Sequence, residues 1–234
     1  MTKLQKSKLL FWVLLLIALY VGMEMYSPSR YIWGYSVYGI DVSKWQGAID
    51  WKAVQQDKIE FTFIKATQGM NKVDTLFKYN WKEAGKQQIV KGAYHYYEPD
   101  KSPKEQAKNF IRQVKLRSGD LPPVLDLEEP IAIPLAEFQA NVQVWLDEVE
   151  QHYQIRPMIY ASPSYYRSYL LEAFSDYPVW LARYRKYPIP RLPKEGEQWL
   201  FWQYTNKGRV KGIQGDVDLN VFWGTPKELQ KVLK

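Results

Sequence analysis

From Tyr38 onward the chain alternates short apolar, β-branched and aromatic runs with stretches whose apolar residues recur at helical spacing. The strand candidates are Tyr38 to Val42, Phe61 to Ala66, Val90 to Tyr96, Val124 to Leu127, Pro157 to Ala161, Val179 to Arg183, Leu200 to Tyr204 and Val217 to Phe222. Between them, Ala107, Phe110, Ile111 and Val114 fall on one helical face, as do Leu135, Phe138, Val142, Trp145, Leu146 and Val149. Strands separated by helices predict a parallel sheet with right-handed crossovers, and this many predict closure into a single TIM-like parallel β/α barrel. Helical signal weakens in the second half, where Pro163 to Ala173 is short and Tyr187 to Gly196 holds three prolines. The barrel is therefore expected to be irregular.

The first residues have a different pattern. Lys3, Lys6 and Lys8 precede an uncharged apolar run from Leu9 to Met23. Positive charge before such a run keeps that end in the cytoplasm and exports the rest of the chain. As a helix the run rises about 22 Å, against a hydrocarbon core of about 30 Å, which suits either a short anchor or a long signal peptide. Ser27-Pro28-Ser29 is a weak cleavage site and Met25 and Tyr26 can lengthen the span, so an uncleaved hydrophobic helix is the expectation. The chain divides into a signal-anchor or signal peptide at 1–26, a stalk at 27–37 and one barrel domain at 38–234, a length that a single barrel fills.

Composition narrows the chemistry. There is no cysteine, which removes disulfides, thiolate metal sites and thiol nucleophiles together. A net charge of +7 favours anionic surroundings, but no nucleic-acid motif accompanies it and nucleic acid is not expected as a partner. Ten Trp and eighteen Tyr exceed what a core requires, and they suit either sugar faces or a membrane interface.

The sharpest local feature is Pro122-Pro123-Val124-Leu125-Asp126-Leu127-Glu128-Glu129-Pro130, an apolar strand ending in acids. Residues two apart on a strand share a face, so Asp126 and Glu128 project together at the strand's carboxyl end, where the active sites of β/α barrels form. Asp41 ends the first strand and Asp218 begins the last, and in a closed barrel those two strands are neighbours. Crowded, partly buried carboxylates split their pKa values, as a general acid beside a charged stabiliser requires. The other reading of Asp126 and Glu128 is a charged turn flanked by proline. A metal is not expected, because His95 and His152 have no ligand spacing. His95 reads as a hydrogen-bonded core residue and His152 as an exposed or capping one. Nucleotide-binding loops and serine-hydrolase elbows are absent, and no cofactor is expected.

Tyr38-Gly39-Ile40-Asp41-Val42-Ser43-Lys44-Trp45-Gln46-Gly47 with Ile49-Asp50-Trp51 resembles the opening of glycoside hydrolase family 25. The resemblance continues in order through Phe63 to Gly69, Gly92 to Tyr96, Leu125 to Glu128, Pro157 to Tyr160, Trp180 to Tyr184, Trp202 to Thr205 and Val217 to Asn220. It implies a distorted barrel that hydrolyses the β-1,4 bond between N-acetylmuramic acid and N-acetylglucosamine in peptidoglycan. On the same grounds Glu128 is the proton donor and Asp126 steadies the developing positive charge or orients the 2-acetamido group. Asp41 and Asp218 bind substrate and tune those acids, and Lys65, Tyr96, Tyr160, Trp180 and Gln203 line the groove. Strand spacing leaves retention and inversion both open, with substrate-assisted retention the expectation. Gln68 departs from a block that often carries Glu, which puts a charge pair there in question. The location expected from the N-terminal segment is a bacterial inner membrane, crossed once with the catalytic domain outside the cytoplasm, or secretion if the leader is cleaved. A catalytically silent peptidoglycan-binding barrel and a hydrolase of another N-acetylated polysaccharide are the competing readings, and oligomeric state is left open.

Overall fold

The computed structural model describes residues 5, 8–16, 19, 32, 34–184 and 199–234. Within them, nine strands form one sheet: β1 (Tyr38–Val42), β2 (Phe61–Gln68), β3 (Lys72–Val73), β4 (Val90–Tyr96), β5 (Val124–Asp126), β6 (Met158–Ala161), β7 (Val179–Ala182), β8 (Phe201–Gly208) and β9 (Val217–Phe222). The order β1-β9-β8-β7-β6-β5-β4-β2 closes on itself through a β1–β2 pairing, giving an eight-strand barrel with β3 attached outside as a hairpin on β2.

All-parallel pairing does not hold. β9 runs antiparallel to both β8 and β1, while the other strands of the barrel pair in parallel. The cause is the linker: residues 209–216 are too few for a crossover, which needs about a dozen residues or more, and Gly212 and Gly215 adopt positive φ. The hairpin strand β3 is a further addition to the expected set, since Lys72–Val73 is too short to show a period.

Alternation along the strands divides the core in two. Side chains pointing inward, among them Phe61, Phe63, Val124, Met158, Trp180, Phe201 and Phe222, fill the barrel. Those pointing outward pack against α1 (Trp51–Gln56), α2 (Phe77–Lys86), α3 (Pro103–Gln113) and α4 (Leu135–Tyr153). Two inward positions must be glycine. A Cβ on Gly39 would lie 2.4 Å from the Phe61 ring, and one on Gly92 would lie 2.7 Å from Phe63.

The predicted faces of α3 and α4 are buried at Ala107, Phe110, Phe138, Val142, Trp145, Leu146 and Val149. Ile111 is only partly buried, and Leu135 is 43% exposed because it opens the helix before the first turn reaches the core. Helical structure after β6 comes as short pieces, Pro163–Tyr165, Tyr166–Leu170 and Leu171–Phe174, the middle one a π turn. The proline-rich stretch Tyr187 to Gly196 lies outside the described residues, as does most of the segment read as a stalk. Of that segment, Ile32 and Val37 are buried against the barrel, and the Tyr38 hydroxyl donates to the Ile32 carbonyl at 2.9 Å. Residues 8–16 are helical. Among the described residues no helix is long and apolar enough to cross a membrane.

Candidate active site

The C-terminal ends of the parallel strands open on one cleft of about 270 Å³. Into it alternation aims Asp41 from β1, Lys65 from β2, Tyr94 and Tyr96 from β4, Asp126 from β5, Tyr160 from β6, Trp180 from β7 and Gln203 from β8. Glu128 comes just past the end of β5. Reversal of β9 brings its first residues to this same end, so Asp218 joins them as the direct cross-strand partner of Asp41. Every residue read from the sequence as catalytic or groove-lining thus borders one cavity.

A hydrogen-bonded floor fixes Asp41. Gln203 Nε2 and Asn220 Nδ2 each donate to its Oδ2 at 2.8 Å. Gln203 is itself oriented by the hydroxyls of Tyr160 and Tyr184, which both donate to its Oε1 at 2.9 Å. Asn220 accepts from the Trp180 indole N–H at 2.8 Å. Trp180 stacks on Phe63 at 4.3 Å and is only 2% exposed, so it props up the floor more than it offers a ring face. The most open ring among the described cleft residues is Trp45, 81% exposed at the cleft mouth on the single turn Lys44–Gln46 that Ser43 caps.

Burial sets the charge states. It pushes Asp41 up to about 6 against the pull of its two amide donors, and Asp218 up to about 8, with Asp41's charge adding to the rise. Asp126 is also driven well up by burial and by the Glu128 charge, although Lys65 opposes this. Its Oδ1 is buried without a hydrogen-bond partner. Burial raises Glu128 too, against the pull of Lys65, although its side chain stands more open to solvent than that of Asp126. With Asp218 at about 8, the cleft holds at least one proton on its carboxylates at neutral pH, and burial favours the protonated form of Asp126 as well. Lys65 lies 4.2 Å over the Tyr96 ring, and desolvation lowers its pKa against the attraction of Asp126, Asp74 and Glu128.

Several contributors escaped the sequence reading. Asn220 sits two residues beyond Asp218, on the same strand face, and that spacing could have found it. Glu129 accepts the Tyr96 hydroxyl proton at 2.6 Å. Tyr184 and Trp45 carried no individual signal beyond being aromatic. Gln68 spans the gap between Lys65, whose ammonium donates to its Oε1 at 3.1 Å, and Glu98, whose Oε1 accepts from its Nε2 at 3.0 Å. Below the cleft, His95 is fully buried between Thr67 and Gln106, as its apolar strand implied, and His152 is exposed.

The same order of motifs and the same barrel recur in known proteins. The sequence profile of Glycosyl hydrolases family 25 matches residues 40–213. The uncharacterized protein YegX of Escherichia coli (strain K12) is 40% identical over 201 residues, spanning 84% of this chain and 73% of that protein. Lysozyme M1 of Streptomyces globisporus is 35% identical over 208 residues, 82% of this chain and 70% of its own. A family 25 glycosyl hydrolase from Bacillus anthracis superimposes with a TM-score of 0.80 at 33% identity, covering 86% of this chain and 95% of that one. On the profile match and these identities, the chain belongs to glycosyl hydrolases family 25.

Proposed function

We propose that this protein is a muramidase, hydrolysing the β-1,4 bond between N-acetylmuramic acid and N-acetylglucosamine with Glu128 as proton donor and Asp126 as partner to the 2-acetamido group. The observation that carries the assignment of roles is the contrast between these two neighbours. Asp126 is nearly buried at the cleft wall and has an oxygen without a partner, whereas Glu128 stands open at the cleft where a leaving oxygen can reach it. Lysozyme M1, with which the chain shares 35% identity, supports the substrate class.

The chemistry stems from the shared proton. An acetamido N–H donated to Asp126 Oδ1 satisfies the buried oxygen and favours the ionised form of Asp126, which leaves the proton on Glu128. The acetamido carbonyl oxygen then attacks C1 as the C1–O bond breaks, and Glu128 protonates the departing oxygen. The positive charge that develops on the ring and the acetamido group lies against Asp126. Water next attacks C1, giving its proton to the Glu128 carboxylate, and the acetamido group is restored with the configuration retained. Asp41, held by Gln203 and Asn220, adds negative potential that keeps the Glu128 proton in place until the leaving oxygen takes it.

The location proposed is the outer side of a bacterial inner membrane, with the N-terminal segment as an uncleaved anchor. Lys3, Lys6 and Lys8 before the apolar run support it, as does helical backbone at 8–16 with Leu9, Leu10, Phe11 and Trp12 exposed. Membrane fractionation of cells making the full chain should leave it in the membrane pellet at full length; a shortened soluble product would identify a cleaved leader instead. For the activity, the full chain incubated with purified peptidoglycan and, separately, with chitin oligomers should cut the first and spare the second. Efficient cleavage of chitin alone would reassign the substrate.

A further inference from the structure

Beside the acidic cleft lies a second concavity of about 360 Å³, between the Lys44–Gln46 turn and the β2–β3 hairpin. Trp45 and Lys65 belong to the walls of both. Its charge is of the opposite sign: Lys44, Lys65 and Lys72 line it, against a single carboxylate, Asp74. That carboxylate is already engaged with the backbone, Oδ2 accepting from the Lys44 N–H at 2.9 Å and Oδ1 from the Leu76 N–H at 3.0 Å. Lys72 is paired with Glu98 at 2.7 Å yet remains 62% exposed. Lys44 is exposed, with its ammonium 5.1 Å from the Trp45 ring, and makes no ion pair with any described residue. Lys44 also lowers the pKa of Lys65, as two cations facing one space should.

We infer that this pocket is an anion subsite that takes a carboxylate of the peptide stem carried by the glycan strand. The inference rests on the muramidase reading and extends it. A peptidoglycan backbone is itself neutral; its charges hang from the lactyl ether of alternate sugars. With the scissile bond over Glu128 and a neighbouring sugar against the exposed face of Trp45, a substituent of that sugar crosses the shared wall into the lysine-lined pocket. Lysine ammonium groups are compact point charges on flexible stems, suited to a carboxylate whose position varies with stem length. Separation of an acidic cleft from a basic pocket by one aromatic wall thus sorts the two halves of the substrate: the uncharged sugars to the acids, the charged stem to the lysines.

Binding can be read apart from cleavage. In the full chain carrying Glu128→Gln, so that nothing is cut, the Kd is measured for soluble glycan fragments with intact stems and for the same fragments freed of peptide, with the lactyl carboxylate that this exposes capped as its methylamide. Stem-bearing fragments should bind about tenfold more tightly, a difference of about 1.4 kcal/mol, and added salt should erase it. Adding Lys44→Gln and Lys72→Gln should abolish the preference and leave the affinity for peptide-free fragments unchanged, which also shows that the fold survives. Equal affinity for both fragments before the lysines are changed, or a preference that outlives their loss, would overturn the subsite. Failure of the muramidase reading would look different: the unmodified chain would leave the glycan bonds intact whatever the fragments' affinities.

Discussion

Asp41 and Asp218 are direct partners across the antiparallel β1–β9 pair, two carboxylates opposed at the closing seam of the barrel. Burial, and then like charges directly opposite one another, disfavour two ionised carboxylates there, so the folded chain keeps a proton that the unfolded chain releases. Asp218, raised from 3.8 to about 8, contributes stability that is present below pH 3.8 and lost as pH rises through 8. Asn at this position cannot ionise. Asp218→Asn should therefore match the parent's thermal stability near pH 4 and exceed it by about 2–6 °C near pH 8, with activity reduced. A difference independent of pH, measured by calorimetry, would mean that Asp218 is not held protonated.

The two amide donors to Asp41 Oδ2 are what keep its pKa from rising further. Asn220→Ala removes one of them and strands the Trp180 indole N–H as well. A stability loss of about 1–3 kcal/mol is expected from the orphaned groups. Carboxyl NMR should find Asp41 titrating above its present value of about 6. An unchanged titration would show that the donors orient Asp41 without tuning it.

His95 behaves in the opposite sense. Burial lowers its pKa from 6.5 to about 4, so the folded chain resists a proton that the unfolded chain accepts. Its contribution is present above pH 6.5 and lost as pH falls through 4. Denaturant unfolding should show stability declining across that window, and His95→Asn should flatten the decline even though it lowers stability at neutral pH. A decline of the same steepness in both proteins would assign acid lability to other groups.

Gln68 and Glu98 form a pair in which the charge and the amide occupy set places. Gln68→Glu alone should lower thermal stability by about 2–4 °C, because two carboxylates then meet where only Lys65 and Lys72 can compensate. The exchange Gln68→Glu with Glu98→Gln restores one charge and one amide, and should recover most of the loss. No recovery in the double variant would show that the two positions are not interchangeable.

Much of the site was legible because the strands end where the chemistry begins. The two-residue period of Val124-Leu125-Asp126 and the acids after it mark both a strand and a site, and Asp41 and Asp218 come together because first and last strands are neighbours in any closed barrel. Direction and reach escaped the pattern. A strand's alternation is the same whichever way it runs, and the linker before β9 is too short for a crossover only because β8 runs on to Gly208, past the expected end at Tyr204. Aromatic composition likewise could not separate Trp180, buried beneath the floor, from Trp45, open at the rim. That difference is made by the barrel interior and by a one-turn helix whose only sequence signal is its Ser43 cap.

Everything proposed for the cleft turns on Glu128 delivering the proton that frees the leaving sugar. The decisive measurement is mass analysis of soluble fragments released from purified peptidoglycan by the full chain, run beside Glu128→Gln. Fragments ending in reducing N-acetylmuramic acid are expected, with a rate about 10²–10⁴-fold lower in the variant and binding intact. Equal release by both proteins, or fragments ending in reducing N-acetylglucosamine, would refute that role for Glu128.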